Sequence, residues 1–140
     1  MTRTRYALVG AGHRAQMYVD AITGTHADRA ELVAICEPNP VRAEHYRDQL
    51  VERGVPAPTL WSPDDLEQMI RDSRAERVII TARDDLHASL IVRSLDAGAD
   101  VVVEKPLTID APSAAAIEDA VERTGRSVVL TFNYRYSPRN

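Results

Sequence analysis

Apolar positions in this chain fall into short blocks separated by longer polar stretches of helical composition. Tyr6 to Val9 is the first block and predicts a buried strand. The stretch from His13 to about Thr23 predicts a helix closed by Gly24. Glu31 to Cys36 is a near-continuous apolar run with β-branched residues, the type expected of a parallel strand covered on both faces. Pro38 and Pro40 are expected to break the backbone after it, and Val41 to Arg53, rich in Arg, Glu, Gln and Leu, predicts a second helix that stops at Gly54. A third strand is expected near Thr59 to Trp61. Ser62-Pro-Asp-Asp then reads as a helix start, with Ser62 able to cap, Pro63 at the first helical position and acids in the first turn. Leu66, Met69 and Ile70 give that helix its apolar face. Arg77 to Ala82 predicts a fourth strand, and Asp84 or Asp85 is expected to cap a helix that runs to Ala97 and stops at Gly98. Val101 to Glu104 predicts a fifth strand, Asp110-Ala-Pro-Ser opens a helix through about Arg123 that Gly125 ends, and Ser127 to Phe132 predicts a sixth strand.

Strands that alternate with helices through short connections predict an α/β protein with a doubly wound parallel sheet of about six strands, because parallel neighbours need crossovers and these are right-handed. The expected strand order is 3-2-1-4-5-6, a Rossmann arrangement with a switch point beside strand 1. A length of 140 residues suits one domain. With 44% hydrophobic and 27% charged residues, disordered and fibrous classes drop out. A net charge of −4 without a basic tract argues against a nucleic-acid surface. The single cysteine, Cys36, excludes an internal disulfide and a Cys-rich zinc cluster, reads as a small core residue and fits a reducing compartment. No metal site is expected. No apolar run approaches the ~18 to 20 residues of a membrane span, and the run ending at Gly10 is too short for a signal-peptide core. A cytoplasmic protein with no membrane partner is the expectation.

Between the first strand and the first helix stands Gly10-Ala-Gly-His-Arg-Ala15, the spacing of a G-x-G-x-x-A turn. Gly10 permits the tight turn, Gly12 leaves no Cβ in the way of a pyrophosphate, and Ala15 lets the helix pack closely on the strand. Together with the intervening His13 and Arg14, this turn would present helix N-terminal amides to the phosphates. By itself the spacing is a weak signal, so the rest of the chain has to supply context. Glu37 does so, as an acid about 20 residues on at the end of strand 2, where a ribose diol is gripped. The other reading of Glu37 is a solvated loop acid. A carboxylate there repels a 2′-phosphate and favours NAD over NADP, although Arg42 is near enough to leave that preference open. Thr81 and Ala82 end strand 4 at the carboxyl edge, where open α/β sheets bind ligands, or else form an ordinary loop entry. His87, in the first turns of the next helix, is a packing or capping residue or lies near the cofactor. Glu104-Lys105-Pro106 follows strand 5 at the same edge. This pair is either a surface salt bridge or the place where Lys105 donates to a ribose or substrate hydroxyl and passes a proton, with Glu104 holding it.

Taken together, Gly10 to Ala15, Ile35-Cys-Glu-Pro-Asn39, Thr81 with His87, Ala97-Gly98, Glu104-Lys-Pro106 and Phe132-Asn-Tyr-Arg135 resemble the N-terminal half of the Gfo/Idh/MocA oxidoreductases, which include glucose-fructose oxidoreductase and inositol 2-dehydrogenase. The resemblance implies a Rossmann domain binding NAD(P), with Lys105 as catalytic residue reaching the nicotinamide ribose and a sugar or polyol hydroxyl. It also implies that Glu104 supports the site, that Asn133 sits near the nicotinamide and that Arg135 lies on the substrate side. The chain departs from the family pattern at Glu37, commonly Asp, and at Arg83-Asp84, often Pro-Asn. Family members continue into an α/β domain that supplies substrate contacts and usually the oligomer interface. The expectation is therefore an NAD(P)-binding domain over residues 1–132, the start of a connection over 133–140, a homo-oligomer when the second domain is present, and no turnover by these residues alone. A non-catalytic NAD(P)-binding or sensing module is the alternative. A methyltransferase fits poorly, since the glycine spacing suits a pyrophosphate and Glu-Lys-Pro has no use there.

Overall fold

The computed structural model describes residues 2–104 and 110–131. Six strands form one parallel sheet: β1 (Thr4–Val9), β2 (Ala30–Cys36), β3 (Thr59–Trp61), β4 (Arg77–Ile80), β5 (Asp100–Glu104) and β6 (Val128–Thr131). Their order is β3-β2-β1-β4-β5-β6, as the alternation of strand and helix patterns predicts. Among the described residues five α-helices make the crossovers: α1 (Ala15–Asp20), α2 (Pro40–Glu52), α3 (Leu66–Ser73), α4 (His87–Asp96) and α5 (Ala111–Thr124).

The period-2 geometry of the strands divides the core in two. Ala7 and Val9 of β1 face one way with Val78 and Ile80 of β4, against Leu66 and Met69 of α3, Leu90, Ile91 and Leu95 of α4, and Ile117 of α5. Leu8, Ile35 and Ile79 face the other way, against Ala15 and Val19 of α1 and Leu50 of α2. Burying each large aliphatic side chain is worth about 1.5–3 kcal/mol, and both faces carry several. Ala7–Val9 of β1, Leu32–Cys36 of β2 and Val78–Ile80 of β4 are apolar in succession because both faces of the sheet are covered there. Val129 on the edge strand β6 is 54% exposed, beside the half-buried Val102 of β5.

Several local expectations are corrected. The first helix does not run unbroken from His13 to a stop at Gly24. It is α-helical only from Ala15, and from Ala21 it widens into a π-turn through Thr25 that includes Gly24. The Thr23 hydroxyl donates to the Val19 carbonyl at 2.7 Å, a back-bond of the kind that loosens the helix ladder. Pro40 does not break the chain. It is the first residue of α2, where its missing N–H costs nothing, and Asn39 caps the helix by accepting from Val41 N at 3.0 Å. β4 ends at Ile80, leaving Thr81 and Ala82 just beyond the strand. Neither Asp84 nor Asp85 caps α4. They lie in a 3-10 turn, Asp84–Leu86, that precedes the helix, which has no side-chain cap. Ser62 does not cap α3: it caps a 3-10 turn, Pro63–Asp65, that precedes the helix, through a long 3.4 Å bond from Asp64 N, whereas Asp110 opens α5 as expected and accepts from Ser113 N at 2.7 Å.

The packing of α3 on α4 includes a forked ion pair, in which Arg93 Nε and Nη2 donate to Glu67 at 2.8 and 2.7 Å while Nη2 also reaches the Pro63 carbonyl at 2.8 Å. The guanidinium holds the Glu67 carboxyl down to about 2, from an ordinary 4.5. A depressed carboxyl pKa stabilises the fold fully above the unfolded value and loses that contribution as pH falls from about 4.5 to about 2. Because both side chains are about one-third exposed, solvent screening limits the contribution to about 1 kcal/mol or less at neutral pH. Glu67→Gln is expected to lower stability by that amount at pH 7 and by less at pH 3, measured by urea unfolding at both values.

Candidate dinucleotide-binding site

The glycine turn is shaped from both sides. Gly10 has φ +94°, and a Cβ there would lie 2.7 Å from Ala82 N and 2.8 Å from the Thr81 carbonyl carbon. Only glycine tolerates both the dihedral and the approach. Thr81 fastens the contact: its amide donates to the Val9 carbonyl at 2.8 Å and its hydroxyl to the Gly10 carbonyl at 2.6 Å. Gly10 therefore serves the contact between the ends of β1 and β4 as much as the turn itself.

Gly12 is different, because a Cβ there would meet nothing within 4 Å. Its bareness matters only to something approaching from outside. Its carbonyl accepts from the Tyr46 hydroxyl at 2.7 Å, which fixes the peptide plane. Among the described residues, the amides of Gly12, His13 and Arg14 have no hydrogen-bond acceptor, while Ala15 N and Gln16 N donate back into the turn. Ala15 is fully buried against the sheet, as its small size predicts.

Glu37 is only 8% exposed. Its Oε1 accepts from Ala11 N at 2.7 Å and its Oε2 from Asn39 N at 2.8 Å. It is thus a strut between the glycine turn and the loop after β2, and not a solvated loop acid. Each oxygen keeps further acceptor capacity, and the residue lines a cavity of about 200 Å³ at the carboxyl edge of the sheet. Gly10, Gly12, Thr81 and Ala82 border the same cavity, with Pro38, Pro63, Leu86 and Leu90 as apolar walls and Arg42 and Arg83 as cationic ones. Cys36 also borders it. Burial pushes its thiol up to about 12, so it is a neutral wall and not a nucleophile. His13 and Arg42 line a wider groove on the other side of the turn with His45 and Tyr46.

Towards β5 a second constellation forms. Glu104, 8% exposed, accepts from Arg14 Nε at 3.1 Å and from the Tyr18 hydroxyl at 3.1 Å, and that hydroxyl is 2.9 Å from Thr131 Oγ1. Burial, with the Glu104 carboxylate beside it, pushes the Tyr18 phenol above its ordinary value, against the Thr131 bond, which lowers it. The Glu104 carboxylate is therefore held by Arg14 and by Tyr18 of α1, whose hydroxyl is in turn tied to β6. His87 is 1% exposed, with Nε2 2.9 Å from the Ala82 carbonyl, so its imidazole braces the loop after β4. Lys105 and Asn133, and with them Pro106 and Arg135, lie outside the described residues. Gly10 and Gly12 of the turn, Glu37, Thr81 and Ala82 converge on one cavity, which neither Glu104 nor His87 lines, and His13 faces the other groove. Tyr18, Tyr46 and Thr131 carry much of the geometry and have no motif of their own, and the cap by Asn39, in the segment after β2, is not among the sequence expectations. The only sequence hint is that tyrosines at helical positions need a partner for the hydroxyl when buried.

The open approach to Gly12, three amides without acceptors and an acid-closed cavity fit a pyrophosphate flanked by a ribose. Comparison with known proteins agrees: residues 4–132 match the family described as "Oxidoreductase family, NAD-binding Rossmann fold". The chain belongs to this Gfo/Idh/MocA family. An inositol 2-dehydrogenase/D-chiro-inositol 3-dehydrogenase of Lactiplantibacillus plantarum is 29% identical over 136 residues, 96% of this chain and 37% of that protein. The WlbA dehydrogenase of Bordetella pertussis, crystallised with NADH and UDP-GlcNAcA, is 28% identical with a TM-score of 0.80, covering 97% of this chain and 39% of that one. A 3-ketoreductase of Actinomadura kijaniata crystallised with NADP shares the fold, with a TM-score of 0.81 at 23% identity over 99% of this chain and 41% of that one. The chain spans 28% to 37% of the length of the curated relatives it first matches.

Gly10→Ala tests the contact between the ends of β1 and β4. It is expected to cost about 3 kcal/mol, since a positive φ and a backbone clash add. Gly12→Ala, with open space around it, is expected to cost less than about 1 kcal/mol. Chemical denaturation of the two variants measures both.

Proposed function

We propose that this chain is the NAD-binding part of an oxidoreductase acting on a sugar, polyol or related hydroxyl compound. The observation that carries the reading is Glu37, a nearly buried carboxylate on the wall of the cavity that begins at Gly12. Gly12, His13 and Arg14 would take the pyrophosphate on their amides, and Glu37 would accept the hydroxyls of the adenosine ribose. The same negative charge disfavours a 2′-phosphate, which is why NAD is preferred to NADP. Arg42 borders the cavity, so the preference is one of degree.

The nicotinamide of NAD supplies a hydride acceptor and, when reduced, a hydride donor. The protein's part is to orient it and to manage the hydroxyl proton. Lys105 is proposed for that proton, because it follows Glu104 at the carboxyl edge and because the family resemblance gives a lysine there this role. Glu104, clamped by Arg14 and Tyr18, would fix where β5 releases the chain into Lys105. Asn133 is proposed beside the nicotinamide, and Thr81, Ala82 and His87 as the shaped rim. Residues 1–132 would form the cofactor domain. The remaining substrate contacts and any homo-oligomer interface would lie in sequence beyond these 140 residues, consistent with the share of its relatives that this chain spans. Substrates of the sugar and polyol class are supported by the inositol dehydrogenase and by the UDP-GlcNAcA bound to WlbA.

Calorimetry of the chain with NAD and NADP is expected to show binding of both, with NAD tighter. Glu37→Gln, which keeps an acceptor and removes the charge, is expected to weaken NAD by about tenfold, or about 1.4 kcal/mol, and to narrow its advantage over NADP. An unchanged ratio would remove Glu37 from this role, and no heat with either nucleotide would end the proposal.

A further inference from the structure

The loop after β4 carries an arginine that the glycine turn and Glu37 leave without a task. Arg83 borders the cavity, yet its side chain is 80% exposed. Its guanidinium is held by a fork on Asp85, Nε to Oδ1 at 3.2 Å and Nη2 to Oδ2 at 2.9 Å. An exposed ion pair two residues apart contributes little to folding. What it does is fix the plane of the guanidinium and cancel its charge locally. Next to it Leu86 is 45% exposed and lines the same cavity, whose other apolar walls are Pro38, Pro63 and Leu90. An apolar slot edged by a planar, partly neutralised cation suits an electron-rich aromatic ring better than an anion.

We propose that Arg83, oriented by Asp85, forms the outer wall of the base end of this cavity and stacks on the adenine of the bound nucleotide. The inference rests on the cavity taking a dinucleotide, as proposed above. It makes Arg83 a binding determinant that acts on the base, with Asp85 holding the Nε–Nη2 edge of the guanidinium so that its face turns to the cavity.

The test is calorimetry of the chain with NAD and with AMP, comparing Arg83→Ala, Arg83→Trp and Arg83→Lys with the parent. Arg83→Ala is expected to weaken NAD and AMP by the same factor, about three- to fivefold, with the thermal midpoint unchanged. Arg83→Trp restores a flat face without charge and is expected to recover most of the loss, whereas Arg83→Lys, which restores charge without a plane, is not. The inference is overturned if Arg83→Ala leaves both ligands at parental affinity, or if Lys rescues and Trp does not. A parent chain that binds neither NAD nor AMP would instead refute the dinucleotide reading on which this one rests.

Discussion

A carboxylate with 8% exposure has to be compensated, and Glu37 is compensated by the backbone itself. Taking such a charge out of water costs several kcal/mol. Charge-assisted bonds from Ala11 N and Asn39 N offset that cost only if the glycine turn and the loop after β2 keep their relative positions. The strut therefore couples the two loops. Asn39 in turn caps α2, and α2 sends Tyr46 back to the Gly12 carbonyl, so turn, strut, cap and helix close a ring. The residue proposed to read the ribose is the one that sets the shape around it.

The opposite flank is organised by the same chemistry with side chains in place of amides. Glu104 is held by Arg14, just before α1, and by Tyr18 of α1, and Tyr18 is tied to Thr131 on β6. The short first helix thus presents its preceding turn to the cavity and its side chains to the ends of β5 and β6. Its conversion to a π-turn after Asp20 happens beyond those contacts and leaves them intact. Between the flanks, Thr81 and the close approach at Gly10 bring the end of β4 against that of β1, which is where the order of the sheet reverses.

Strand order, helix number and the location of the crevice were legible in the sequence because they depend on block-scale hydrophobicity and on a few glycines and prolines. The details that resisted reading depend on partners far apart in the chain. Glu37 and Glu104 look alike as acids after apolar strands, yet one is bound by amides and the other by Arg14 and Tyr18, and nothing local distinguishes them. Asp84 and Asp85 have the composition of a cap, but Asp85 is drawn to Arg83 and the chain makes a 3-10 turn instead. Gly24 looked like a stop because glycine often is one. A threonine hydroxyl bonded to the preceding turn makes it part of a widened helix.

The central claim is that a dinucleotide lies across the glycine turn, from the Glu37 cavity towards the end of β5. Amide chemical shifts of isotope-labelled protein titrated with NAD test it most directly. The largest changes are expected at the amides of Gly12, His13 and Arg14, with a second group at Ala82 and Arg83. Changes confined to the amino edge of the sheet, around Arg74 and Gly98, or no saturable change at the turn, would contradict it.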